Sequence, residues 1–244
     1  MDTPVDIVFH GHACVELRTR EATLLFDPFF RGPVQAGCPP QDCFPTDVLI
    51  SHGHEDHLAD AMHFASREEV TTLCNFEVGK WLEHQGAQHV LGMNIGGVMH
   101  RPYGTVRMVA AQHSSTLPDG SPGGLAGGFL LDFGDWRCYH AGDTALSLEM
   151  ELIGRFWKPD LAMLPVGDWF TMGPEDALLA AHMLDCREVI ALHYDTFPPI
   201  ALTAERKQAA AEAFALAGKK LHFLPIGGRW QRAQSSDWGR TFDN

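Results

Sequence analysis

The chain has 244 residues, 45% hydrophobic and 20% charged, with a formal net charge of −13. That apolar share is enough for a large core and excludes an intrinsically disordered chain. The negative charge repels a phosphate backbone at long range, which disfavours a nucleic-acid partner but leaves room for a small anionic molecule drawn to a local cation.

No run approaches the roughly 18 uninterrupted apolar residues of a membrane span, so no membrane partner is expected. The start, Met1-Asp2-Thr3-Pro4-Val5-Asp6, is acidic and runs into a strand-like pattern. A secretory leader needs a basic start and an apolar run. The six cysteines (Cys14, Cys38, Cys43, Cys74, Cys138, Cys186) are spread without CxxC spacing and read as reduced thiols of a cytoplasmic protein. Cys38 and Cys43 flank Pro39-Pro40 and could pair or bind a metal, but C-x4-C with no second pair is a weak zinc signal.

Residues 5–10, 13–18 and 22–26 are short, apolar and β-branched, separated by Gly11 and by Thr19-Arg20-Glu21, and predict strands of a meander. A loop rich in Pro, Gly and Cys follows over 28–45. The run Asp47-Val48-Leu49-Ile50-Ser51 suits a strand buried on both faces. Residues 58–69 and 75–85 read as helices, the second stopping at Gly86; 70–74 and 104–112 read as strands.

A turn-rich loop spans 116–128. Residues 129–133 and 137–140 flank Gly134-Asp135-Trp136 and predict a hairpin. A helix is expected over 145–157 and a strand over 161–165. Pro174 opens a helix over 174–185, and 189–192 is a buried strand. Thr203 can cap a helix that runs to Ala217, with Gly218 just past its end. No short repeat and no Ser/Gly linker divides the chain. It reads as one α/β domain over 1–244, with two sheets covered by helices, a pattern that composition alone does not separate from other α/β arrangements.

The chemistry concentrates in Ser51-His52-Gly53-His54-Glu55-Asp56-His57. Four candidate ligands, His52, His54, Asp56 and His57, fall within six residues directly after a buried strand. Alternation puts His52 and His54 on a common side, and Asp56 and His57 can curl back along the following loop. Imidazole and carboxylate donors suit Zn, Mn, Fe or Ni. The plainer reading is a solvated loop with Asp56 as a helix N-cap.

This segment resembles the H-x-H-x-D-H signature of the metallo-β-lactamase superfamily, and the likeness extends over nearly the whole chain. Asp27 in Phe26-Asp27-Pro28, His113 after Val106–Gln112, Asp143 in His140-Ala141-Gly142-Asp143-Thr144 and His193 in Leu192-His193-Tyr194 agree in order and spacing. More narrowly, Tyr139–Thr144, Phe170-Thr171-Met172-Gly173-Pro174 and His193–Pro198 resemble the UlaG-like, or UPF0173, group of metal-dependent hydrolases, which has no single agreed substrate.

The resemblance implies a four-layer αββα sandwich holding two divalent metal ions, Zn or Mn first, Ni or Fe next. It assigns His52, His54 and His113 to one ion, Asp56, His57 and His193 to the other, and Asp143 to both. Five neutral imidazoles and two carboxylates leave such a centre net positive, which stabilises a bridging hydroxide and attracts an anionic substrate. Asp27 is expected to support a ligating histidine rather than to bind metal. Asp56, His140 and metal-bound water are the candidates for proton delivery to the leaving group.

His10 and His12, around Gly11, either lie near the metal site or are structural. Tyr194 and Asp195 either contact substrate or satisfy local backbone. His63, His84, His89, His100, His182 and His222 read as ordinary helix or surface histidines. The implied activity is hydrolysis of a small ester, lactone or phosphodiester. The rival readings are a nuclease or phosphodiesterase acting on nucleic acid or nucleotides, which the charge disfavours, and a non-catalytic metal-stabilised binding protein, which the complete ligand set disfavours. Specificity is expected from 29–44, 116–128 and 169–172, with Trp169 and Phe170 as an apolar wall. Aromatic loops also permit a homo-oligomer.

Overall fold

The computed structural model describes residues 2–31 and 40–233. Cys38 lies outside them. In chain order the strands are β1 (Asp6–Gly11), β2 (Cys14–Arg18), β3 (Thr23–Phe26), β4 (Asp47–Leu49), β5 (Thr71–Asn75), β6 (His89–Met93) and β7 (Val98–Arg101). They continue as β8 (Gly104–Ala110), β9 (Gly127–Asp132), β10 (Arg137–His140), β11 (Leu161–Pro165), β12 (Glu188–Leu192), β13 (Lys220–His222) and β14 (Arg229–Gln231). The helices are α1 (Glu55–Leu58), α2 (Ala61–Ala65), α3 (Phe76–His84), α4 (Glu149–Phe156), α5 (Pro174–Met183) and α6 (Ala204–Leu216).

The strands form two seven-stranded sheets, ordered β14-β1-β2-β3-β4-β5-β6 and β13-β12-β11-β10-β9-β8-β7. Period-two alternation tells the strands which way to face. Val15, Leu17, Leu24, Phe26, Leu49 and Leu73 of the first sheet share one core with Val106, Met108, Phe129 and Leu131 of the second. Their neighbours Cys14, Leu25, Val48 and Cys74 point the other way, into a second core with Phe64 of α2 and Val78 and Leu82 of α3. Each fully buried Leu or Phe contributes about 1.5–3 kcal/mol. With α5 and α6 against β11 and β13, the four-layer αββα sandwich expected from the sequence is present.

The expected meander and the β9–β10 hairpin are present, the latter turning at Gly134 with Arg137 paired to Asp132. Thr203 caps α6 by accepting the Arg206 N–H. Four strands were not anticipated: β6, β7, β13 and β14. All four are sheet edges. An edge strand is short and part-exposed, so it lacks the apolar signal of a central strand; β6 and β7 are largely exposed. The helix expected over 58–69 is two pieces, α1 and α2, because the chain turns at Asp60. There the Asp60 N–H donates to the Pro28 carbonyl, and its carboxylate accepts from the Phe30 N–H at 2.8 Å. The helix expected from 145 starts only at Glu149.

Two backbone bonds join the sheets along one edge of the sandwich. Gly127 N–H donates to Ser51 O at 3.1 Å, and His193 N–H donates to His12 O at 2.8 Å. Gly142, with φ of +62°, sits in the same seam. A Cβ there would come within 2.6 Å of Gly127 O and 2.9 Å of Ser51 Cβ, so only glycine admits this close approach.

Candidate metal centre

Each donor sits just beyond the end of a strand, along that seam. Asp27 follows β3, His52 to His57 follow β4 and enter α1, His113 follows β8, Asp143 follows β10 and His193 follows β12. Asp27 and His193 adopt left-handed backbone, with φ of +43° and +54°. Such conformations cost about 1–3 kcal/mol and cluster where function over-determines the geometry.

The seven candidate ligands converge. The donor atoms of His52, His54 and His113 lie within 4.8 Å of one another, as do those of His52, His57 and Asp143, and those of Asp56, His57, His193 and His12. Asp143 Oδ2 is the hub, 2.9 Å from His193 Nε2, 3.3 Å from His57 Nε2 and 3.6 Å from His113 Nε2. Asp56 is not an N-cap. That position is His54, and the Asp56 carboxylate turns back to His12 Nε2 at 3.0 Å.

Behind the ligands, Asp27 fixes two imidazoles at once. Its Oδ2 accepts from His57 Nδ1 at 2.9 Å and from the Ser51 hydroxyl at 2.7 Å, while Oδ1 accepts the Ser51 N–H at 2.7 Å. A carboxylate only accepts, so the Ser51 proton points to Asp27 and Ser51 Oγ accepts from His52 Nδ1, 2.9 Å away. In their neutral forms both histidines therefore carry their proton on Nδ1 and present Nε2 to the cluster. This is the tautomer a metal requires.

Burial opposes charge on these rings. It lowers His52 well below the ordinary imidazole value, reinforced by His57, and it lowers His54 and His113. Burial would lower His57 too, but Asp143 and Asp27 outweigh it and hold that ring well above its ordinary value. Asp143 is driven well below the usual carboxylate range by His57 and His193, despite burial that raises it. Three side-chain atoms of the candidate ligands, His57 Nε2, Asp143 Oδ1 and His193 Nδ1, are buried without a hydrogen-bond partner. Each orphan costs about 1–3 kcal/mol, and a cation held by His57 and Asp143 would remove that cost for their two atoms. The donor set fits divalent metal ions.

The remaining candidates sort by position. His140 is fully buried, stacked on Phe26 at 4.7 Å, and its Nδ1 accepts the Gly142 N–H at 3.2 Å. It supports the turn into Asp143 and packs in the core. Tyr194 donates to Leu224 O, and Asp195 accepts the Leu202 N–H and pairs with Lys207, so both serve local structure. His10 is buried against Glu16 at 3.0 Å, in a separate group with Cys43. Among the described residues His63, His84, His89, His100, His182 and His222 join no donor group. Of the residues the sequence left undecided, His12 is the one that joins the cluster; its signal is the Gly11-His12 turn, where two successive positive φ angles, +111° and +56°, aim a histidine at the seam.

Residues 22–194 match the profile of the beta-lactamase superfamily domain. A UPF0173 metal-dependent hydrolase of Methylacidiphilum infernorum is 45% identical, over 82% of this chain and 88% of its own length. A second, from Enterococcus faecalis, is 42% identical over 80% and 89%. Among solved structures the chain is similar to Igni18, a novel metallo hydrolase from the hyperthermophilic archaeon Ignicoccus hospitalis. That match has a TM-score of 0.85 at 28% identity and covers 95% of this chain and 100% of that one. Fold and donor cluster define a metal-dependent hydrolase of the metallo-β-lactamase fold. Within that superfamily, the chain belongs to the UPF0173 metal-dependent hydrolases.

Proposed function

We propose that this protein is a dinuclear hydrolase of a small anionic ester, lactone or phosphodiester. The reading is carried by the Asp27 relay, which holds His52 and His57 on their Nδ1 sides and turns each Nε2 toward the cluster, where His57 Nε2 and Asp143 Oδ1 are buried without a hydrogen-bond partner. His52, His54 and His113 would hold one ion, Asp56, His57 and His193 the other, and Asp143 both. Imidazole and carboxylate donors favour Zn or Mn in such a site. When bound there, the ions would supply a nucleophile from water near neutral pH and polarise the attacked group.

The chain's own residues supply the rest. The Asp56 side chain is 29% exposed, against 3% for Asp143, so Asp56 is the carboxylate that reaches the cleft. Ionised at rest, it is placed to take up a proton released from water and pass it on to a leaving group. Trp169 and Phe170, exposed by 76% and 57%, stand on the loop whose Met172 N–H donates to Thr144 O, next to Asp143. They offer an apolar wall to the uncharged part of a substrate. A cavity of about 460 Å³ lies behind His12, lined by Phe9, Tyr194, Phe223 and Ile226 with Lys207. Its size suits a small molecule. No described helix is long and apolar enough to cross a membrane. Buried free thiols at Cys14, Cys74, Cys138 and Cys186 support a reducing, cytoplasmic setting.

The test is to measure bound metal and then turnover on aryl esters, lactones and bis-p-nitrophenyl phosphate. Two ions per chain with turnover on one class supports the reading. One ion removes the dinuclear part, and full occupancy with no turnover on any class removes the hydrolytic part.

A further inference from the structure

We propose that His12 is the positioning residue of the second cation subsite, clamping Asp56 and His193 from opposite sheets so that the chain holds two ions rather than one. The inference rests on the dinuclear reading above. His12 belongs to the turn between β1 and β2 and is 1% exposed. Three bonds leave it. Its Nε2 meets Asp56 Oδ2 at 3.0 Å, its Nδ1 meets Thr196 Oγ1 at 2.9 Å, and its carbonyl accepts the His193 N–H at 2.8 Å.

Hydrogen-bond chemistry fixes the direction of these bonds. Ionised Asp56 can only accept, so His12 Nε2 carries the proton; in the neutral ring Nδ1 then accepts the Thr196 hydroxyl. Asp56 needs this hold. It sits in the first turn of a four-residue helix, and Oδ2 is 3.9–4.0 Å from His193 Nε2 and His57 Nε2, so those rings do not bond it. The His12 and His193 rings lie 4.2 Å apart, so the ring also packs the ligand that its carbonyl secures. Phe29 and Phe197 close round the ring at 5.7 and 5.6 Å. Among the described residues the other subsite makes no contact with His12: His52 is set by Ser51, and His54 Nδ1 lies 2.9 Å from His52 Nε2, with the Ser114 hydroxyl 3.4 Å from His54 Nε2. Loss of His12 should therefore strike one subsite and spare the other.

The experiment loads wild type, His12→Ala, His12→Gln and Thr196→Val with Mn(II), counts ions by elemental analysis, and reads spin coupling by electron paramagnetic resonance. The wild type should hold two ions with a coupled signal. His12→Ala should hold one, with an uncoupled six-line spectrum. His12→Gln, whose amide can still donate to Asp56, should recover the second ion, with affinity between those of the other two. Thr196→Val leaves the turn's backbone alone and should weaken the second ion by about 10–100-fold, the usual effect of losing a group that orients a ligand. It keeps the question open to test if alanine at φ +56° prevents folding. Two coupled ions at unchanged affinity in both His12→Ala and Thr196→Val would overturn the clamp. So would His12→Gln losing the ion as fully as alanine. A wild type that binds a single ion defeats the dinuclear reading itself, a separate result.

Discussion

Asp27 Oδ2 lies 2.9 Å from His57 Nδ1, and both side chains are wholly buried. The same oxygen takes the Ser51 hydroxyl, so one carboxylate sets the tautomer of His57 directly and of His52 through one intermediary. Asp27→Asn keeps the size and tolerates the left-handed backbone at this position. It replaces an acceptor with a group that is half donor. Metal affinity should fall by about 10–100-fold, read by competition with a chromophoric chelator. Unchanged affinity would mean that the tautomers are set by something other than Asp27.

Asp143 occupies the centre of the cluster, where three imidazole nitrogens approach Oδ2 within 3.6 Å. Asp143→Asn removes the charge that both ions would share. The second ion should be lost and kcat should fall by more than ~100-fold, exceeding the loss from an orienting group. His63, exposed at its bond to Arg67, provides the contrast, and His63→Ala should leave metal content within error. Elemental analysis of the two variants side by side checks both statements. A large loss in His63→Ala would show that the ligand set is misassigned.

The fold was legible wherever both faces of a strand are buried. Leu24, Leu25 and Phe26 serve two cores in turn, so three apolar residues already read as a central strand. The edges were not legible: in β7 only Met99 of its apolar residues packs on the core, and Val98 is 39% exposed. In the site, His52, His54, Asp56 and His57 announce themselves because four donors share one loop. His113, Asp143 and His193 do not; single residues at separate strand ends become visible only through a family resemblance. His12 stayed ambiguous because its role depends on partners 44 and 184 positions away, Asp56 and Thr196. His140 drew attention by lying three residues before Asp143, but strand alternation turns its ring into the core onto Phe26.

Four described thiols are walled off by the packing. Burial raises Cys14 well above the ordinary thiol value, raises Cys74 and Cys138 likewise, and pushes Cys186 up to about 12. The thiolate is the reactive form, so at pH 8 these groups are inert as well as shielded. Iodoacetamide on the folded protein should leave their peptides unmodified by mass spectrometry, and denaturant should expose all four. Rapid native labelling at Cys74 or Cys138 would mean that the sheets open far more readily than closed packing allows.

Away from the metal centre, Glu16 links acid stability to a triad with His10 and Arg18. Burial pushes its carboxyl up, but hydrogen bonds from His10 at 3.0 Å and Arg18 at 2.7 Å outweigh that and bring it down to about 2, from an ordinary 4.5. A carboxyl depressed on folding stabilises the protein fully above its unfolded value, and that contribution drains away as pH falls through the folded value. The window is therefore pH 4.5 down to about 2. Glu16→Gln removes the titrating group, so its Tm should be lower than wild type at pH 6, and the gap should shrink as pH approaches 2. Thermal unfolding of chelator-treated protein across that range isolates the effect from metal loss. A gap that stays constant with pH would show that the substitution acts through packing alone, with no proton linkage at Glu16.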